Sequence, residues 1–287
     1  MEFAPPCGAH VSDSLNGAVR MLADAGVENP RLDAEVLLAE ASGRRRIDVL
    51  AGNLSLTPAM HSRFAEFLRR RVAREPLAYI IGHREFFSLD LEIAPTVLIP
   101  RPETETVVAA ALDAAAEFPQ GRVLDLGTGS GAVALALAMN SPKLHIAASD
   151  ISEDALVIAR RNAIRLHPVN PIEFVCCDLF GGLRAAKHFD LVVSNPPYVA
   201  SESESHLDPE IRYEPDIALF GGIDGLGFYR RILAAAGSVL KRGGWLVLEI
   251  GAGQCDSVAA LCRRSGSRNT RVHPDLAGIP RALCAQF

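Results

Sequence analysis

The sequence predicts an α/β protein in which a small bundle of helices precedes a parallel sheet covered by helices. Three features of the chain support this prediction. Residues 12–75 have helical patterning and no strand pattern. Residues 78–100 have the pattern of a β-hairpin. From Pro102 onward, short apolar segments alternate with helical segments, and repeated strand–helix units build a parallel sheet that is buried on both faces.

The N-terminal helices are placed by their start signals. Ser12 and Asp13 can cap a first helix, Pro30 opens a second, and Pro58 opens another, because capping residues and prolines mark helix N-termini. Apolar residues recur on one face of each segment. We therefore expect roughly four or five short helices in an N-terminal domain of residues 1–75.

A hairpin and seven strands are expected after these helices. The hairpin would pair residues 79–82 with residues 86–93, inside a linker of residues 76–101 that joins the two domains. Residues 102–287 would form the second domain, whose site should lie at the carboxyl ends of the strands. Its strands are expected at residues 122–126, 145–149, 172–177, 189–194, 244–250, 268–273 and 281–286, the last two as an antiparallel pair.

A glycine-rich turn follows the first of these strands. Glycine tolerates positive φ and lets a ligand approach the backbone closely. The N-terminus of the next helix offers unpaired N–H groups. The G-x-G-x-G spacing differs from the G-x-G-x-x-G spacing of the dinucleotide fingerprint, so it indicates a nucleotide-like cofactor without identifying it. The residues of the turn are Gly127, Thr128, Gly129, Ser130 and Gly131.

Two acidic residues end the next two predicted strands. Asp150 follows the second strand, where an acid can bind both hydroxyls of a ribose. Asp178 and Leu179 follow the third, and we expect them to flank an adenine ring. Either aspartate alone could be a helix N-cap. The glycine turn and the two acids, in this order, favour a cofactor site.

The motif Asn195-Pro196-Pro197-Tyr198 ends the fourth predicted strand. Its prolines fix φ at about −65° and remove two N–H donors, and a residue before proline is held extended. The Asn195 side-chain oxygen and the Pro196 carbonyl can then accept the two N–H groups of a planar –NH2 group, against which the Tyr198 ring can lie. A proline-rich turn without a function is the alternative interpretation.

Composition narrows the class of protein. The formal net charge is −5, so there is no global electrostatic case for nucleic-acid binding. The arginine runs at residues 44–46 and 69–71 fit solvated helix surfaces; a docking patch for an acidic protein or ribosomal RNA is the alternative. The six cysteines include no C-x-x-C pair, and no histidine cluster is present, so neither a metal nor disulfides are expected.

The beginning of the sequence has neither a basic segment followed by a long apolar one nor any membrane span. A secretion signal would need both parts, and a spanning helix would need about 20 apolar residues. We therefore expect a cytoplasmic protein with no membrane partner.

These motifs resemble those of class I S-adenosylmethionine-dependent methyltransferases that act on amino groups. Further segments closely match the peptide chain release factor glutamine N5-methyltransferases, and the resemblance extends over residues 12–285. One departure is Leu179, where many members of the family have an aromatic residue, so adenine stacking there should be weaker. The matching segments are residues 74–82, 85–87, 97–105, 224–229 and 248–254.

The resemblance implies a Rossmann-like class I methyltransferase sheet and S-adenosylmethionine as the cofactor. It implies methyl transfer to the side-chain N5 of the glutamine in the GGQ motif of class I release factors 1 and 2, with Asn195 as the catalytic residue. The helical domain would dock the release factor, and a monomer without a nucleic-acid substrate is expected. The alternatives are a ribosomal-protein glutamine methyltransferase and, less favoured, a DNA or RNA exocyclic-amine methyltransferase. The implied cofactor-binding residues are Gly127, Thr128, Gly129, Ser130, Gly131, Asp150, Asp178, Leu179 and Asn195.

Overall fold

The computed structural model describes residues 11–52, 55–182 and 188–287. The chain divides into two compact units. The helical unit comprises Met1–Gly82 together with Asp208–Tyr213, and the sheet unit comprises His83–Leu207 together with Glu214–Phe287. The chain therefore leaves the sheet unit after Leu207 and re-enters it at Glu214.

The described part of the helical unit has five α-helices around one apolar core. The prediction of helices in this region is confirmed, and Thr57 caps one of them by accepting a hydrogen bond from the Met60 N–H over 3.3 Å. The core is formed by fully buried leucines and phenylalanines, among them Leu22, Leu37 and Phe64. The helices are α1 (Val11–Asp24), α2 (Pro30–Ser42), α3 (Arg46–Leu50), α4 (Pro58–Val72) and α5 (Leu77–Ile81).

Ion pairs with Arg71 and Arg74 hold the segment Asp208–Tyr213 within the helical unit. Arg71 is buried and binds Asp33 at 2.7 Å and Glu210 at 3.0 Å. Arg74 binds Glu210 at 2.6 Å. Burial acts against ionisation of Glu210, but hydrogen bonds from Arg74 and Arg71 keep its pKa below the usual value. Charge pairing thus attaches this segment to helix α4 and the residues that follow it.

The predicted first strand of the hairpin, residues 79–82, is wrong. Leu77–Ile81 form helix α5, which Gly82 ends with a left-handed φ of +83°. A short apolar run fits a helix or a strand equally well, and here Ile80 packs into the core of the helical unit. The hairpin begins later, with β1 (His83–Phe86) and β2 (Leu89–Glu92) paired antiparallel.

The sheet unit contains a seven-stranded sheet in the order β5-β4-β3-β6-β7-β9-β8. The first five of these pair in parallel, and β9 pairs antiparallel with both β7 and β8. The predicted parallel sheet and terminal antiparallel pair are confirmed. The strands are β3 (Arg122–Leu126), β4 (His145–Asp150), β5 (Glu173–Cys176), β6 (Phe189–Ser194), β7 (Leu240–Glu249), β8 (Asn269–Pro274) and β9 (Pro280–Gln286).

The strand order brings the functional motifs together at the carboxyl ends of the strands. The chain passes from β3 to β4 on one side and later returns to β6 on the other side of β3, and such a reversal opens a crevice at the carboxyl ends.

None of the helices described is both long and apolar enough to cross a bilayer. The α-helices of the sheet unit are α6 (Thr104–Ala115), α7 (Ala132–Asn140), α8 (Glu153–Leu166), α9 (Asp216–Leu219), α10 (Gly227–Val239) and α11 (Cys255–Arg264).

Replacing Arg71 with alanine should strongly destabilise the helical unit. The substitution leaves Asp33 buried without its cationic partner, and breaking a buried ion pair on one side costs about 3–5 kcal/mol. Urea unfolding measures the loss. Arg69→Ala is the control, because Arg69 is exposed on the same helix and surface substitutions stay within about 0.5 kcal/mol. Equal losses in the two variants would refute the assigned role of the buried pair.

Candidate active site

A cleft of about 270 Å³ lies at the carboxyl edge of the sheet. The ends of β3, β4, β5 and β6 contribute to it, as the sequence predicts for this kind of sheet. Eight of the predicted site residues line it: Gly127, Gly129, Asp150, Asp178, Leu179, Asn195, Pro196 and Pro197. Thr128, Ser130, Gly131 and Tyr198 are not among the residues that line this cleft.

The three glycines of the turn all have left-handed backbone conformations, but they serve two purposes. Gly127 and Gly129 have φ of +70° and +55°, and a Cβ added to either would have no other atom within 4 Å. They therefore leave open backbone for a ligand. At Gly131, an added Cβ would lie 3.3 Å from the Cβ of Ala159. Gly131 thus permits close packing of helix α8 against the turn.

Thr128 supports the turn from inside the protein. Its Oγ1 donates a hydrogen bond to Asp125 Oδ2 over 2.7 Å, and the Ala134 N–H donates to the same oxygen over 3.1 Å. Burial raises the pKa of Asp125 to about 7, these two hydrogen bonds oppose the shift, and the charge of Asp150 adds to it. Asp125 was not predicted as a site residue, because the sequence shows it only as an acid inside an apolar strand.

The backbone of the turn orients the Asp150 carboxylate. Oδ2 accepts the Gly129 N–H over 2.8 Å, and Oδ1 accepts the Ser152 N–H over 2.9 Å. Carboxylate oxygens can accept more than one hydrogen bond, so both can still take ligand hydroxyls. The N-cap of helix α8 is Ser152, whose Oγ accepts the Ala155 N–H over 3.1 Å. Asp150 therefore does not serve as that cap.

The third strand contributes a mixed polar and apolar wall. Asp178 forms an ion pair with Arg231 at 2.6 Å. Leu179 has a left-handed φ of +50° and lies in the cleft wall. Phe228 also lines the cleft, with the Arg231 guanidinium 5.5 Å from its ring centroid. Neither Phe228 nor Arg231 was assigned to the site from the sequence; Phe228 lies inside the matching segment at residues 224–229, and Arg231 follows it by two residues.

Asn195 is held in the cleft through its amide nitrogen. Nδ2 donates to Oγ1 of Thr104 over 3.3 Å, and Thr104 is the first residue of helix α6. At the end of the preceding strand, the Ser194 hydroxyl donates to the Leu126 carbonyl over 2.8 Å. This bond ties the proline turn to the end of β3. Asn195 lines the cleft, and its Oδ1 is the one atom of this carboxamide that could accept an N–H from a ligand.

Tyr198 lies behind the turn. Its hydroxyl donates to Glu249 Oε1 over 3.2 Å, and its carbonyl accepts the Gln254 side-chain N–H over 3.1 Å. Burial raises the pKa of Tyr198 above its usual value, so the phenol remains a neutral donor. The structure gives Tyr198 a supporting position, and its contact with an acceptor amide stays a prediction.

No metal centre is apparent in the described parts of the chain. No cluster of histidine, cysteine, aspartate or glutamate there could hold a metal ion. The described cysteines, Cys176, Cys177, Cys255, Cys262 and Cys284, are free thiols, while Cys7 lies outside the described residues.

Two solved methyltransferase structures share this fold. A methyltransferase from Pyrococcus furiosus is 18% identical, with a TM-score of 0.51 over 78% of this chain and 98% of its own. The hMettl16 catalytic domain, solved with an RNA hairpin, is 18% identical, with a TM-score of 0.59 over 77% of this chain and 82% of its own. Residues 104–209 match the family model "Methyltransferase small domain". The protein is therefore a class I methyltransferase, and the cofactor of this class is S-adenosylmethionine.

The particular family is shown by longer matches. Residues 13–82 match the family model "PrmC N-terminal domain". A "Release factor glutamine methyltransferase" from Moorella thermoacetica is 44% identical over 95% of this chain and 96% of its own. One from Salmonella typhimurium is 39% identical over 95% of this chain and 97% of its own. The chain belongs to the release factor glutamine methyltransferase family, which confirms the resemblance.

The cleft suits S-adenosylmethionine. Asp150 presents a carboxylate that would bind the ribose hydroxyls, and the open backbone of Gly127 and Gly129 would face the cofactor. Leu179 and Phe228 supply apolar surface that would flank the adenine. We propose these roles from the acceptor groups and apolar side chains that line the cleft.

Replacing Asp150 with alanine should weaken binding of S-adenosylhomocysteine. A hydrogen bond to a charged group contributes about 1.5–3 kcal/mol, so the dissociation constant should rise roughly 10- to 100-fold. Isothermal calorimetry measures it. Glu153→Ala is the control, because Glu153 is an exposed acid in the first turn of α8. Equal weakening in both variants would indicate a general charge effect and would reject a ribose contact.

Proposed function

We propose that the protein transfers the methyl group of S-adenosylmethionine to the side-chain N5 of the glutamine in the GGQ motif of release factors 1 and 2. The near full-length similarity to release factor glutamine methyltransferases supports this substrate. The observation that carries the proposal is Asn195. Its amide nitrogen is held by Thr104, and its oxygen is left for the substrate beside the glycine turn that lines the same cleft.

The chemical difficulty lies in the acceptor. A carboxamide nitrogen is a poor nucleophile because its lone pair is delocalised into the carbonyl. Asn195 Oδ1 and the Pro196 carbonyl would each accept one N–H, which directs the lone pair towards the methyl group. When bound, the cofactor supplies that methyl group on a positively charged sulfur.

The two acceptors also favour charge development. The nitrogen gains partial positive charge as the new bond forms, and fixed oxygen acceptors stabilise that charge without reorganising. Holding the reactants in line adds a further gain. No strong base is needed in this scheme, because the amide proton becomes acidic once the methyl group has transferred.

Replacing Asn195 with alanine should lower the kcat of release factor methylation roughly 10²–10³-fold, the range for losing a preorganised group at a developing charge. Binding of S-adenosylhomocysteine should change little, because other residues provide most of the cofactor site. Labelled methyl transfer and calorimetry measure the two effects. Asn140→Ala, an exposed asparagine at the end of helix α7, is the control. An Asn195→Ala variant with the wild-type kcat would show that Asn195 has no role in the chemical step.

A comparison of substrates distinguishes the release factor from two alternative methyl acceptors. A ribosomal-protein glutamine would present the same amide, and a nucleobase amine would suit related Asn-Pro-Pro turns. The hMettl16 domain shares only its fold with this chain. Purified release factor, ribosomal protein, DNA and RNA should each be incubated with labelled S-adenosylmethionine. Labelling of ribosomal protein or nucleic acid, with no labelling of release factor, would reject the proposed substrate.

The helical unit provides the proposed docking surface for the release factor. A single glutamine offers few contacts, so selection of one protein must come from remote binding energy. Ile47 and Leu50 on helix α3 are 60% and 47% exposed, and exposed apolar side chains of this kind suit a protein interface. We assign docking to residues 1–75, chemistry to residues 102–287, and the joining role to residues 76–101. We further propose a monomer that works in the cytoplasm, where release factors act.

Ile47→Asp should raise the KM for release factor roughly tenfold or more, since an interface anchor contributes about 2 kcal/mol, while kcat stays close to wild type. Steady-state kinetics separates the two constants. Ile164→Asp is the matched control, because Ile164 is 70% exposed on helix α8 of the sheet unit. An unchanged KM in Ile47→Asp, or the same rise in Ile164→Asp, would place docking elsewhere.

A further inference from the structure

A buried carboxylate lies behind the Asn195 turn and has no role in the scheme above. Glu249 ends strand β7, and its side chain is fully buried. Oε1 accepts the Tyr198 hydroxyl over 3.2 Å, whereas Oε2 has no hydrogen-bond partner among the described residues. An incompletely paired buried carboxylate is costly. The fold alone does not account for an acid at this position, since neighbouring core positions of β7 are apolar.

Thr104 connects this carboxylate to Asn195. The Thr104 Oγ1 accepts the Asn195 amide N–H over 3.3 Å, and the Thr104 hydroxyl lies close enough to the Glu249 carboxylate to lower the pKa of that group. A hydroxyl has one proton to donate. While Thr104 accepts the Asn195 N–H, it can donate its own hydroxyl proton to Glu249. This requires Glu249 to act as a hydrogen-bond acceptor, which an ionised carboxylate always does.

We propose that Glu249 is a positioning residue which, through Thr104, fixes the Asn195 carboxamide with Oδ1 towards the acceptor glutamine; this rests on the proposed function. With Glu249 ionised, the Thr104 proton points to the carboxylate and its lone pair holds Asn195 Nδ2. With Glu249 protonated, the carboxyl group donates to Thr104. The Thr104 proton is then free to be donated to Asn195 Oδ1, and the amide turns its N–H groups to the cleft. Such an amide cannot accept the substrate N–H.

The surroundings of Glu249 place this change near neutral pH. Burial raises its pKa to about 7, the Thr104 and Tyr198 hydroxyls and the charge of Arg281 oppose the rise, and Glu103 adds to it. Arg281 has a raised pKa and stays cationic, and Tyr198 stays neutral. The positioning form is the ionised one, so it is populated above about pH 7 and lost below it.

The kcat of release factor methylation should therefore rise about tenfold between pH 6 and pH 8, as expected for one group with a pKa of about 7. In Glu249→Gln, which keeps the size but cannot ionise, this rise should shrink to less than about twofold, and kcat at pH 8 should fall. Thr104→Val should also flatten the profile, and Thr104→Ser should restore it. KM for release factor and affinity for S-adenosylhomocysteine should stay close to wild type.

Two buried carboxylates provide the controls. Asp190→Asn removes an acid near the start of β6 that is bound to Lys241 at 2.8 Å, and the pH profile should keep its shape. Burial also raises the pKa of Asp125 to about 7, so Asp125→Asn tests whether Asp125 is instead the origin of the pH dependence of kcat. If Asp125→Asn flattens the profile and Glu249→Gln does not, the inference is overturned.

An infrared titration makes the result independent of turnover. The carbonyl stretch of a protonated carboxyl group should disappear as the pH rises through about 7 in the wild type and should be missing from Glu249→Gln. A wild-type enzyme that methylates release factor while Glu249→Gln keeps the full pH rise overturns the inference alone. A wild type that labels no release factor overturns the proposed function and, with it, this inference, even where the infrared band titrates.

Discussion

Hydrogen bonds between the ends of three neighbouring strands hold the whole site together. The Gly127 and Thr128 N–H groups donate to the Ser149 carbonyl over 2.8 and 2.9 Å, so the turn after β3 is fixed to the end of β4. The Ser194 hydroxyl fixes the end of β6 to the Leu126 carbonyl at the end of β3. These three strands run in parallel, so their carboxyl ends are neighbours. The cofactor turn, Asp150 and the proline turn therefore acquire their relative positions from these backbone and side-chain hydrogen bonds.

Local sequence patterns were enough to predict the sheet. The strands β3 and β6 were predicted with the observed bounds, because each is a short apolar run with clear breakers on both sides. Helix α5 was predicted as a strand, because a run of four residues has too few positions to distinguish the two periods. Its conformation is decided by tertiary contacts, as Ile80 belongs to the core of the helical unit.

The site was predictable only where its residues stand next to a recognisable turn. Asp150 and Asn195 each follow a strand directly, so the sequence places them at the site. Thr104 and Glu249 lie far from Asn195 in the sequence, and only the folded sheet brings them behind it. Glu249 also occupies a position that pattern analysis treats as core, which hides its polar role.

The excursion of residues 208–213 constrains how this protein can be recombined with its relatives. The two units are joined by three chain passages, at Gly82, Leu207 and Glu214. A chimera that exchanges only the first 82 residues would keep Glu210 of this chain but replace its partners Arg71 and Arg74 with whatever residues the relative has at those positions. The helical unit and this short internal segment are therefore expected to be inherited, and to be transplanted successfully, only as a matched pair.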